Sequence, residues 1–248
     1  MSATVADVLR GDARWCVVEG DSADVLRDLA AGSVAAVVSD PPYGTGQWQR
    51  ATTGAGGDCR AVHRTEEWDV WDPSWIDAAM RVSRGPVLTY LPNGRIEECL
   101  SIGRRLDVPM RLLVWCKTDP RPRFSGQPAF GFEPVVAYRT LGGGEVDWFA
   151  ASAPRMNRDN DATGHPHQKP VEVDRWLVRL CSERDDVLLV PHGGSGTTGV
   201  AALAEGRRVI LCERTAEWAE KARARLAKAD TGADAANPRQ ALLFGGSL

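Results

Sequence analysis

Residues 187–214 read VLLVPHGGSGTTGVAALAEGRRVILCER, and this stretch decides the fold class. Four apolar residues of strand character run into a Pro-His-Gly-Gly turn, a helix opens near Thr197, and a second apolar run, RVILC, ends just before Glu213. Gly194, Gly196 and Gly199 satisfy G-x-G-x-x-G, the pattern that lets backbone come close to a ligand at a helix start. Glu213 stands 19 residues beyond Gly194, where a carboxylate can accept hydrogen bonds from both hydroxyls of a ribose. A P-loop is excluded, because Thr197 and Thr198 hold the place of the Lys that must reach the phosphates. The mechanics favour a nucleoside-containing cofactor, and a nicotinamide-dependent oxidoreductase fits the loop nearly as well as any other user of one.

Working outward, seven short apolar runs have strand character: 15–18, 34–38, 86–91, 111–116, 133–138, 187–190 and 208–212. Most are continuous rather than alternating, as strands buried on both faces should be. Helical patterns lie between several of them. Ser22 can cap a helix carrying Val25, Leu26 and Leu29, and Asp72 with Pro73 starts one carrying Ile76, Ala79 and Met80. From Pro170, apolar residues at 173, 176, 177, 180 and 181 follow the helix period, and Thr215 opens a last helix with Trp218, Ala222 and Leu226 on one face. Strands alternating with helices predict an α/β, doubly wound, mostly parallel sheet that binds ligands beyond the carboxyl ends of its strands. Residues 1–229 are expected to form a single domain with inserted loops at 44–72 and 141–164, and 230–248 a flexible tail.

The 248 residues, 43% of them hydrophobic, can bury a sizeable core. No stretch approaches the ~20 apolar residues needed to span a bilayer. The N-terminus has neither the basic start nor the apolar run of a secretory signal, so a cytoplasmic location is expected. Six cysteines without a CxxC pair suggest neither a disulfide framework nor a zinc module, and His165-x-His167 alone is weak evidence for a metal, so none is expected. The net charge is -3, yet residues 101–160 carry nine Lys or Arg against six Asp or Glu, a local excess compatible with a phosphate-facing patch.

Residues 39–48, SDPPYGTGQW, follow the apolar run at 34–38. A turn would accept Asp-Pro here. However, SDPPYG, followed by GHPHQKPVEV and then by PHGGSGTTGVAAL with GRRVILCER, resembles the permuted, beta-class DNA amino-methyltransferases, adenine-N6 type, over roughly residues 15 to 229. The resemblance implies a seven-stranded Rossmann-like methyltransferase sheet, S-adenosylmethionine as cofactor and double-stranded DNA as partner. It implies that Asp21 approaches the adenine of the cofactor, Glu213 its ribose, Gly194 and Gly196 the close backbone approach, and Gln168 with Lys169 the methionine end. Val190, His192, Thr197 and Thr198 belong to the same implied cofactor set. It also implies that Asp40, Pro41, Pro42 and Tyr43 receive an exocyclic amino group. An aromatic amine is a poor nucleophile because its lone pair is delocalised. If Asp40 and the Pro41 carbonyl accept its two N–H bonds, the nitrogen is drawn toward tetrahedral geometry and the charge that builds on it is stabilised. The prolines stiffen the carbonyl, and Tyr43 offers a face on which an extruded base can stack. Such a mechanism does not require Asp40 to be a strongly perturbed base.

The sequence also departs from the family pattern. Where the family usually has D-P-F at the glycine loop, this chain has Val190-Pro191-His192, so an acidic partner for the cofactor's amino-acid end is missing. Weakened cofactor binding, or a DNA-binding relative without catalysis, follows as an alternative. The 121 residues between the tetrapeptide and HPHQKP leave little room for a separate recognition domain. Recognition is expected from the loops, with Lys117, Arg121 and Arg123 for phosphate or guanine contacts and Trp48, Trp68 and Trp71 for stacking. Adenine N6 is the expected target, since by resemblance DPPY accompanies adenine more often, and cytosine N4 is the alternative. Gln240, Leu243 and Phe244 resemble the Q-x-x-L-F peptide by which bacterial DNA enzymes dock on the sliding clamp.

Overall fold

The computed structural model describes residues 3–44, 47–53, 58–64, 69–120, 131–142, 146–152, 163–165 and 167–231, with 47–53 and 58–64 described for backbone alone. All seven apolar runs are strands: β1 (Trp15–Glu19), β2 (Ala36–Ser39), β5 (Val87–Tyr90), β6 (Met110–Lys117), β7 (Phe132–Tyr138), β9 (Val187–Val190) and β10 (Arg208–Glu213). An eighth, β8 (Trp148–Ala151), joins them, so the sheet has eight strands rather than the expected seven, in the order β1-β10-β9-β2-β5-β7-β6-β8. β7 is antiparallel to both neighbours and the other pairings are parallel. β8 lies in the expected 141–164 loop and pairs with the edge of β6, where Trp115 Nε1 donates to the Ala151 carbonyl at 3.0 Å and Phe149 stacks on Trp176.

Part of the other expected loop, 44–72, is also ordered pairing. β3 (Gln47–Thr53) and β4 (Asp58–Arg64) form a separate antiparallel hairpin. The helices are α1 (Val5–Arg10), α2 (Ser22–Asp28), α3 (Trp75–Val82), α4 (Ile96–Arg105), α5 (Val171–Cys181), α6 (Thr197–Ala204) and α7 (Ala216–Asp230). Two start differently from the sequence reading. Asp21, not Ser22, caps α2 by accepting from the Ala23 N–H at 2.9 Å, and α3 begins at Trp75 because Asp72 is spent holding Ser74.

Side chains alternate across the buried strands, as a period of two requires. Val38, Leu88, Leu188, Val190 and Leu211 pack with α5, α6 and α7 on one face. Val37, Val87, Leu189 and Ile210 pack with α1 to α4 on the other. Two apolar faces per strand explain why the runs are continuous. Full burial of a side chain such as Leu177 or Leu188 contributes about 1.5–3 kcal/mol. No helix among the described residues is long and apolar enough to cross a membrane. Arg121, Arg123, Trp68 and the tail residues Gln240, Leu243 and Phe244 lie outside the described residues.

Candidate active site

β2 and β9 are parallel neighbours, Val37 opposite Leu189, but the chain leaves them in opposite senses, toward α3 and β5 from one and toward α6 and β10 from the other. Strand order therefore reverses between them, and the crevice at such a point is where open α/β sheets bind ligands. Asp40 follows β2 and Pro191 follows β9, so SDPPY and the glycine loop face one another by topology. Both line one cleft of about 1830 Å³. Drug-sized ligands occupy pockets of roughly 300–1,000 Å³, so this cleft has room for more than one small molecule.

On the β2 side, a buried ion cluster surrounds the tetrapeptide. Lys169 Nζ lies 3.2 Å from Asp40 Oδ1, hydrogen-bonds Glu133 Oε1, and donates to the Tyr43 hydroxyl at 3.2 Å. That hydroxyl donates to Glu133 Oε1 at 2.6 Å, and Lys117 pairs with Glu133 Oε2 at 3.1 Å. The Lys169 ammonium also sits over the rings of Tyr43 and Tyr90, at 5.0 and 4.9 Å from their centroids. Desolvation pushes Asp40 up to about 6, against the pull of Lys169 and with the push of Glu133. Desolvation pushes Glu133 up too, but Lys169 and Lys117 outweigh it and bring the carboxyl down to about 2. Lys169 thus contacts Asp40 and Tyr43 of the tetrapeptide; the family resemblance implies the methionine end of a cofactor for it. Gln168 lines the cleft and folds onto its own loop, its Oε1 accepting from Thr163 N and Oγ1 at 2.9 and 2.8 Å.

Across the cleft, the Gly194 N–H donates to Glu213 Oε2 at 2.8 Å, while Thr215 N and Oγ1 donate to Oε1 at 2.8 and 2.6 Å. Gly194 and Gly196 have φ of +48° and +83°, a region that disfavours other residues. Gly193 is needed for another reason: a Cβ there would stand 2.1 Å from Leu211 Cδ2. Thr197 and Thr198 open α6 and line the cleft, as does Asp21 at the start of α2. Trp218, read in sequence as part of the core face of the last helix, is half-buried at the cleft wall with its ring edge-on to His165, centroids 4.5 Å apart.

The unusual start of the glycine loop resolves into two different roles. Val190, expected by resemblance in the cofactor set, is 1% exposed in the apolar core and is not among the residues lining the cleft. His192 does line it: its Nδ1 and Ser39 Oγ share a hydrogen bond of 2.7 Å, its ring is edge-on to Trp75, and burial brings it down to about 4, a neutral imidazole. Asp174 of α5, a residue the sequence reading passed over, also lines the cleft and is 1% exposed, accepting from the hydroxyls of Tyr90 and Thr198. Glu133, likewise missed, could have been suspected only from its place at the tip of a strand. Lys117 lines the cleft, paired with Glu133 and lying over the Trp115 ring, and Trp71 is half-buried against the core with its Nε1 donating to Glu98.

Residues 114–224 match a family model described as DNA methylase, of the N6/N4 methyltransferases. The chain is 24% identical over 245 residues to Type II methyltransferase M2.LlaDCHI of Lactococcus lactis subsp. cremoris, covering 87% of this chain and 90% of the relative. It is 25% identical over 243 residues to Type II methyltransferase M2.DpnII of Streptococcus pneumoniae, covering 86% and 90%. Its fold is similar to that of M1.HpyAVI solved with SAM, with a TM-score of 0.65 at 18% identity over 86% of this chain and 98% of that one. The cytosine-N4-specific PvuII DNA methyltransferase aligns with a TM-score of 0.60 at 16% identity over 89% and 94%. With the glycine loop and the SDPPY segment brought to one cleft, the chain is similar to the N6/N4 DNA methyltransferases in family model, in curated relatives and in fold.

Proposed function

We propose that the protein methylates N6 of an adenine extruded from double-stranded DNA, as a beta-class enzyme in which Asp40, Pro41, Pro42 and Tyr43 hold the target base. The observation that carries this reading is the shared cleft, with the tetrapeptide on one wall and the glycine loop with Glu213 on the other. The donor set fits S-adenosylmethionine. Glu213 already accepts three bonds, but its two oxygens offer about four lone-pair sites, and a ribose hydroxyl can add to or replace the Thr215 contacts. The left-handed Gly194 and Gly196 leave the loop backbone open to close approach. Asp21 and Trp218 stand at the same wall, suited to an adenine edge and face.

Bound S-adenosylmethionine supplies a methyl group on a positively charged sulfur. The chain supplies the rest. Asp40 accepts from the base's amino group, with the Pro41 carbonyl as the second acceptor, and the charge developing on nitrogen is met by an ionised carboxylate. Glu133 and Lys169 lock the Tyr43 hydroxyl, which fixes the ring plane on which the base stacks. Being pushed up to about 6, Asp40 can take the proton that the methylated amine releases at neutral pH. Arg121 and Arg123 are assigned to DNA backbone, and Gln240, Leu243 and Phe244 to docking on a sliding clamp. A labelled peptide of residues 236–248 titrated with a bacterial clamp tests the last assignment, and absence of saturable binding removes it.

Incubation with duplex DNA and isotopically labelled S-adenosylmethionine, followed by nucleoside mass spectrometry, tests the main reading. N6-methyldeoxyadenosine is expected. N4-methyldeoxycytidine would move the target to cytosine, and bound cofactor without transfer would favour a DNA-binding relative.

A further inference from the structure

Asp174 occupies a place in α5 where burial disfavours a carboxylate. It is 1% exposed, its Oδ1 accepts from the Tyr90 hydroxyl at 2.7 Å, and its Oδ2 accepts from the Thr198 hydroxyl at 2.8 Å. Both partners are neutral. The first turn of α5 favours negative charge there, as does each hydroxyl. Yet burial still pushes the group above its usual range.

The charges around it do not balance. Asp40, Glu133 and Asp174 all line the cleft, and the close ion pairs are those of Lys169 with Asp40 and Glu133 and of Lys117 with Glu133. Asp174 is hydrogen-bonded by hydroxyls, and Lys169 and Arg225 pull on it through space without outweighing its burial. A buried carboxylate in that position is costly until a cation arrives. The cleft therefore fits a ligand with a positive group at this end.

The cofactor carries such a group in its α-ammonium. Its expected acidic partner at the start of the glycine loop is Val190, and that side chain is packed with Val173, the residue before Asp174, and Leu177, one turn beyond it. We propose that Asp174 takes over this task, binding the α-ammonium of S-adenosylmethionine from the first turn of α5, with Thr198 and Tyr90 as positioning residues. The carboxylate has in effect moved from the tip of β9 to the neighbouring helix, and the chain keeps a charge-assisted contact that its glycine loop has lost. This rests on the cofactor reading given above.

The test compares two ligands that differ at the relevant end. S-adenosylhomocysteine carries the ammonium, and 5′-methylthioadenosine shares the nucleoside but lacks the amino acid. Calorimetric titration of the full chain and of Asp174→Asn should show an approximately ten- to hundredfold loss for S-adenosylhomocysteine, the size expected for one charge-assisted hydrogen bond, with 5′-methylthioadenosine changed less than about twofold. Tyr90→Phe keeps the ring beneath Lys169 while removing one hydroxyl from the carboxylate, and should show the same selectivity at smaller size. It carries the comparison if Asp174→Asn does not fold. Equal losses for both ligands, or no loss for either, overturn the proposal, as does a selective loss found in Asp40→Asn and absent in the Asp174 variant. A wild-type chain that binds neither ligand overturns the cofactor reading itself and the proposal with it.

Discussion

Lys169 Nζ lies 3.2 Å from Asp40 Oδ1 while also holding Glu133 and the Tyr43 hydroxyl, so the carboxylate assigned to the target amine already has a cation partner. Its own side chain is 24% exposed and faces the cleft, whereas Lys169 is 8% exposed beneath it. In the proposed reaction an incoming amino group would approach Asp40 from the open side and share it with Lys169. The ammonium keeps Glu133 as its second anchor.

This arrangement sets a pH dependence. Asp40 must be ionised to accept the amino N–H and to meet the charge that builds on nitrogen, and burial raises it to about 6, so single-turnover methylation should rise with pH through about 6 and level off above it. Lys169→Met removes the charge that holds Asp40 down, and the rising limb should move to higher pH with lower activity at pH 7. A limb that stays in place in the variant would show that Lys169 does not tune Asp40.

Asp40→Ala should abolish methylation and leave S-adenosylmethionine affinity within about threefold, because the residue is assigned to the base rather than to the cofactor. Rapid-quench turnover and calorimetry on the same preparation check both halves. Substantial residual turnover would remove Asp40 from the chemistry.

Much of the framework was legible because the same residues satisfy two demands. The strands of the sheet interior are apolar on both faces and so stand out as continuous runs, and α5 displays the helix period at 173, 176, 177, 180 and 181. β8 was hidden because an edge strand of four residues, Trp148–Ala151, is specified by what it packs on, Trp115 and Trp176, rather than by its own pattern. The tetrapeptide and glycine loop were visible as local motifs. Glu133 and Asp174 were not, since each belongs to the site only through contacts at long sequence separation, Glu133 with Tyr43 and Lys169, Asp174 with Tyr90. Nothing local marks a single acid as buried.

Val190 illustrates a reversal. On sequence grounds, restoring an acid there should tighten cofactor binding. The structure places the side chain, 1% exposed, in the cluster with Val173, Leu177 and Val200. Val190→Asp should therefore lower stability by roughly 3–5 kcal/mol, the penalty typical of an uncompensated buried charge. Urea denaturation of the two chains checks this, and a variant as stable as wild type with tighter cofactor binding would restore the original expectation.

Gly193 gives the sharpest steric test, because its requirement comes from neighbours rather than from backbone conformation. A Cβ would stand 2.1 Å from Leu211 Cδ2 and 2.9 Å from the Cys212 carbonyl oxygen, and that same carbonyl accepts from the Gly193 N–H at 2.7 Å. Leu211 can turn away, but the backbone of β10 cannot, and β10 ends in Glu213, whose carboxylate accepts from Gly194. Gly193→Ala should cost about 1–3 kcal/mol, the range for forcing extra atoms into a packed interior. It should also weaken S-adenosylmethionine binding more than a comparably destabilising change remote from the cleft, such as Val8→Ala in α1's core contact, since the loop and Glu213 must shift together. Denaturation and calorimetry on both variants separate the two effects, and equal cofactor affinity at matched stability would show that the loop absorbs the methyl group without moving Glu213.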